Sequence, residues 1–226
     1  MHSLTRWLLS LLGCIACVVA SYLWLDKPLS YFAHEHLQQF QIFSLFSGFP
    51  KIVGWLAIAG LVFSVVCMLT KRPPSKIHSV ALLCGLSLLI SDEAENWLKY
   101  AFGRTWPETW IENNPSLIGD GIHGFNLFHG GRGYAAFPSG HMTAICAVMS
   151  ALWMTYPRYR ALYVACVAFS ALGQIGANYH FLGDLIAGVF LGWSVGWVSA
   201  TIWEAPKHPL VGAKEPATNR DHKNLG

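Results

Sequence analysis

The chain has 226 residues, of which 54% are hydrophobic and only 12% charged, against about 45–50% apolar and about 25% charged in soluble domains. Its mean hydropathy of +0.40 and its ten Trp, thirteen Phe and eight Tyr indicate an integral membrane protein, and exclude collagen, disorder, a coiled coil or a cytosolic globular enzyme. The formal net charge of +3 comes without a basic stretch, so the sequence offers no footing for nucleic acid.

A membrane-spanning helix needs about 20 largely apolar residues. Six windows meet or approach this: 7–25, 52–70, 77–98, 142–156, 161–179 and 184–203. The predicted architecture is therefore an all-α bundle of six transmembrane helices forming a single domain over 1–203, followed by a polar cytoplasmic tail over 204–226. The first window is long enough for a retained anchor. Residues 26–50, rich in Phe and Leu but broken by His34, Glu35 and His36, suit a helix lying in the interface plane. The loop over 99–141 is long and aromatic, which points to a functional loop. All six cysteines lie in apolar stretches, where thiols behave as small hydrophobes; the Cys14–Cys17 pair has no polar neighbours and reads as packing.

Lys and Arg set the orientation. With the N-terminus inside, ten fall on inner segments, including KRPPSK and YPRYR, and five on outer ones: Lys27, Lys51, Lys99, Arg104 and Arg132. Both termini are expected in the cytoplasm.

Ionisable groups at membrane depth are costly and mark function. Here they gather at the outer ends of the last four helices. Lys99 and Arg104 follow the third helix, Pro138-Ser139-Gly140-His141 opens the fourth, and His180 and Asp184 flank the start of the sixth at i, i+4 spacing, on one helical face. A carboxylate fixes the tautomer of a bonded His and raises its basicity, leaving the free nitrogen as nucleophile or base. A second His can protonate a leaving group. Lys and Arg neutralise an anion, and Ser139-Gly140 at a helix start offers backbone N–H groups to it. Two His, an Asp and several cations suit phosphoryl transfer, which needs mainly positioning and charge stabilisation. No metal or other cofactor is called for; His34, His36, His123 and His129 match no standard zinc spacing. Asp92, Glu93 and Glu95 form an acidic cluster best explained by pairing with Lys99 or Arg104.

PSGH at 138–141, H-x-x-x-D at 180–184 and K…GRTWP at 99–107 together resemble the type-2 phosphatidic acid phosphatase superfamily, over roughly 95–200. The resemblance implies a phosphatidic acid phosphatase/haloperoxidase-like bundle in which His180 attacks phosphorus to form a phosphohistidine, Asp184 holds it, His141 protonates the departing lipid oxygen, and Lys99, Ser139 and Gly140 hold the phosphate. Two departures stand out. The arginine of the family's first motif is Trp106 here, and the arginine six residues before the histidine is Gln174. Arg104 and Arg132 are the candidates to replace them, so the expected phosphate-binding set is Lys99, Arg104, Ser139, Gly140, Gln174 and Arg132.

The expected function is hydrolysis of a lipid phosphate or pyrophosphate at the periplasmic face of a bacterial inner membrane, with undecaprenyl pyrophosphate, phosphatidylglycerol phosphate, phosphatidate and lipid A phosphate as candidates. The rivals are a lipid phosphotransferase using the same His180 and a lipid-binding or transport relative without turnover. The sequence sets no oligomeric state.

Overall fold

The computed structural model describes residues 2–71, 75–111 and 113–204. Six long helices dominate them: α1 (Leu4–Leu37), α2 (Gln41–Leu69), α3 (Lys76–Phe102), α4 (Gly140–Thr155), α5 (Arg160–Gly176) and α6 (Leu182–Glu204). Four of these, α1, α2, α3 and α6, are long and apolar enough to cross a membrane by length and composition. At 16 and 17 residues, α4 and α5 fall short of the about 20 needed for a full span. The expected tail lies outside the described residues, apart from Glu204 at the end of α6.

The stretch 26–50 does not form a separate interfacial helix. Its first part prolongs α1 through π-helical turns at Ser21–Leu25 and Ala33–Leu37, and its second part is the beginning of α2. The polar residues His34, Glu35 and His36 mask this continuity in a hydropathy profile.

The central helix is α4. Met142, Ile145, Ala147 and Ala151 on it are fully buried, which explains its short apolar run: it is enclosed by protein. It packs most extensively on α6. Gly188, Gly192 and Gly196 place a bare stripe on α6 at every fourth residue. A Cβ at Gly192 would lie 2.2 Å from the Thr143 carbonyl oxygen, and one at Gly188 would lie 2.6 Å from that of Ser139. Small residues at this spacing let two backbones approach closely, and here the approach joins the two helices that carry the candidate chemistry.

The loop between α3 and α4 is folded. Ser116 caps a single helical turn, Leu117–Asp120, and the Asn114 side chain accepts from the Trp110 and Ile111 N–H groups and donates to the Glu108 carbonyl. The Asn178 amide then donates to Glu108 and the Ser30 hydroxyl donates to Asn178. These bonds tie the loop, the outer half of α1 and the α5–α6 corner together.

Candidate active site

His180 stands just before α6, and Asp184 lies in its first turn. Their side chains meet at 3.4 Å, Nδ1 to Oδ2, close enough for an ion pair but not aligned as a hydrogen bond. Asp184 is fully buried and held from three sides. Its Oδ2 accepts the Phe181 N–H at 3.0 Å, its Oδ1 accepts Arg104 at 2.5 Å, and its backbone carbonyl accepts the Ser139 N–H at 3.0 Å. The last bond joins PSGH directly to H-x-x-x-D.

Arg104 is not where a phosphate ligand should be. Its guanidinium is fully buried between Asp184 and Asp26 of α1, paired with both carboxylates. His123 Nε2 lies 3.2 Å from the same guanidinium, and the Phe125 and Phe181 rings cover it at 4.8 and 4.6 Å. Asp26 in turn accepts from the Ser21 hydroxyl at 2.6 Å and the Gly183 N–H at 3.0 Å. Arg104 thus stands behind Asp184 as its counter-ion. Sequence spacing could not reveal this, because Asp26 lies far off in the chain and the π-helical turn before it re-aims the helix face.

In front of His180 lies a cavity of about 610 Å³. His141, His180, Lys99, Gly140 and Gln174 all line it. Lys99 pairs with Glu95 one turn earlier on α3, so the acidic cluster is partly used as anticipated; Glu93 instead accepts from Trp97, and Asp92 faces the cavity. Gly140 is needed for space as well as for its N–H, since a Cβ there would meet the Glu95 carboxylate at 2.5 Å. Ser139 is buried with its hydroxyl unpaired.

Arg132 does not join them. Its side chain is exposed on a 3-10 turn, and its carbonyl accepts the Trp106 indole N–H at 2.9 Å. Gln174 is buried and donates from Nε2 to the Ser47 carbonyl on α2 at 3.3 Å. Trp106 leans on His180, with ring centroids 5.1 Å apart. Among the described residues no three His, Cys, Asp or Glu side chains converge to hold a metal ion.

The model of the PAP2 superfamily matches residues 80–207 of this chain, more than half of its length. The chain belongs to the PAP2 superfamily. It is similar to a lipid A 1-phosphatase from Rhizobium etli, at 27% identity over 86% of this chain and 82% of that protein. It is also similar to a lipid A 1-phosphatase from Rhizobium johnstonii, at 30% identity over 47% of this chain and 41% of that one. In fold it resembles the crystal structure of a transmembrane PAP2-type phosphatidylglycerolphosphate phosphatase from Bacillus subtilis, with a TM-score of 0.55 at 17% identity, covering 92% of this chain and 98% of that one.

In this PAP2 protein His141, His180, Trp106 and Gln174 all line the cavity, and Asp184 lies behind His180. Three participants escaped the sequence reading. Asp26 and His123 belong to the buried network behind Asp184, and Lys51, counted only as an outer-loop charge, lines the cavity from α2. The matched region begins at residue 80, so Asp26 and Lys51 come from helices outside it.

Proposed function

We propose that this PAP2 protein is a membrane lipid phosphatase that works through a phosphohistidine on His180. The observation that carries the reading is the convergence of His180, His141 and Lys99 on one cavity, with Asp184 behind His180 at 3.4 Å. Nε2 of His180, the nitrogen turned from Asp184, attacks phosphorus. The bond from phosphorus to the lipid oxygen breaks, its electron pair stays with that oxygen, and His141 supplies the proton. His141, now neutral, takes a proton from water as the water attacks the phosphohistidine, which releases phosphate and restores His180. Asp184 stabilises the positive ring, and the Arg104–Asp26 pair holds Asp184 in place. Lys99 and the backbone N–H groups at Gly140 stabilise the phosphoryl oxygens.

The substrate is a phosphate carried on a lipid anchor, as in the relatives named for lipid A and phosphatidylglycerolphosphate. The helical surface offers exposed Leu, Ile, Val, Trp and Phe along α1 and α2, which suits acyl chains that stay in the bilayer while the headgroup enters the cavity. The Lys and Arg asymmetry supports a cavity at the outer face of a bacterial inner membrane with both termini inside.

Phosphate release from a panel of lipid phosphates and pyrophosphates by detergent-purified protein tests this, with His180→Ala alongside. Release that disappears in the variant is expected. Undiminished release from His180→Ala overturns the mechanism, and phosphoryl transfer to an added acceptor lipid in preference to water makes the protein a transferase.

A further inference from the structure

We infer that Lys51 is the cation that grips the substrate phosphate in this protein, in place of the arginine that position 174 lacks. The inference rests on the phosphatase reading and adds a residue to its site from outside the shared motifs.

Few positive charges near the cavity are free. Arg104 is committed to Asp26 and Asp184, and Lys99, though it faces the cavity, shares its charge with Glu95. Arg132 is exposed away from the cavity. Lys51 makes no ion pair among the described residues and lines the same cavity as Lys99, His141 and His180. An uncommitted ammonium beside two histidines, a glycine N–H and a second lysine is a phosphate donor set.

Gln174 braces the same helix. Its amide donates to the carbonyl of Ser47, and Ser47 and Lys51 sit one turn apart on the same face of α2. The close approach needed for that bond is built in: a Cβ at Gly173 would lie 2.3 Å from the Ser47 nitrogen. Pro50, buried at the cavity wall, cannot donate to the Phe46 carbonyl and loosens the helix at this turn. Where an arginine at 174 would carry charge into the cavity, the glutamine instead clamps the helix that delivers Lys51. The two features are one substitution of function, in which Gln174 is a positioning residue and Lys51 touches the phosphate.

Lys51 is solvent-exposed, so replacing it leaves the packing intact. Binding of inorganic phosphate is read by phosphorus NMR line broadening in the wild type, Lys51→Gln and Lys51→Arg, and KM and kcat for a lipid phosphate are measured in parallel. Loss of one charge-assisted contact is expected to weaken phosphate binding and raise KM by roughly ten- to a hundredfold in Lys51→Gln. The arginine variant should stay near wild type, with kcat changing less than KM in both. Equal phosphate binding by wild type and Lys51→Gln, or no binding by wild type, overturns the assignment. The phosphatase reading fails separately, if lipid phosphate release is absent from the wild type or persists in His180→Ala.

Discussion

At the scale of single residues, the division of labour among the cations is the informative feature. A guanidinium with planar, forked donors can satisfy two carboxylates at once, and Arg104 does this between Asp26 and Asp184 with no solvent contact. Removing one partner of such a buried set leaves uncompensated charge, at a cost of about 3–5 kcal/mol. Arg104→Ala should therefore lower the melting temperature in detergent and also abolish phosphate release, because Asp184 loses the contact that fixes it. Arg104→Lys should fare little better, as a point charge cannot span both carboxylates. Lys99→Ala should also lose activity, with a smaller fall in melting temperature than Arg104→Ala, since Lys99 is itself partly exposed and leaves a single buried carboxylate, Glu95, without its partner. Wild-type melting and turnover in Arg104→Ala would return that residue to the role of a peripheral charge.

At the scale of helices, the site depends on how closely α4 and α6 approach, because one carries Ser139 and His141 and the other carries Asp184. Adding a methyl at Gly192 places it 2.2 Å from a backbone oxygen of α4, which the helix cannot relieve by turning a side chain. Gly192→Ala should cost about 1–3 kcal/mol through overpacking, seen as a lower melting temperature, and should reduce phosphate release as the Ser139–Asp184 backbone bond is pushed apart. Unchanged stability would mean that the two helices can separate without consequence for the site. Much of this level was legible in advance. Four of the six helices fall on their expected windows to within a few residues, because apolar run length is a property of local sequence, while α2 begins at Gln41, well before its window. PSGH and H-x-x-x-D name the start of α4 and α6 by their own spacing. The glycine stripe at 188, 192 and 196 was also readable by its fourfold spacing, but hydropathy registers it only as apolar sequence. What local pattern could not reach was α1 beyond residue 25, where exposed polar side chains on a continuing helix look like a break, and the partners of Arg104, which are set by packing between distant segments.

At the scale of the whole molecule, α1 explains how residues beyond the family motifs enter the site. Its 34 residues give a rod of about 50 Å at 1.5 Å per residue, well beyond the about 30 Å of a hydrocarbon core. The excess carries Asp26 to the back of Asp184. Further along, His34 Nδ1 lies 2.6 Å from Glu108 in the long loop, so α1 closes the site end of the bundle as well as anchoring it. Lys51 and Lys99 share the cavity at that end, while Arg6, Lys71, Lys76, Arg158 and Arg160 fall on the segments that the chain order assigns to the other. Basic residues are retained on the cytoplasmic side during insertion, so in the proposed orientation the few cations at the cavity end run against that trend. In intact cells a cysteine introduced at Asn113, on the loop beside the cavity, should therefore react with a membrane-impermeant maleimide in the full-length chain, above the background of the native thiols. A fluorescent protein that matures only in the cytoplasm, attached after Gly226, should fluoresce. Labelling of Asn113→Cys only after the membrane is opened would invert the bundle and place phosphate release inside the cell; with that orientation, substrates reaching the site from the outer leaflet would be ruled out.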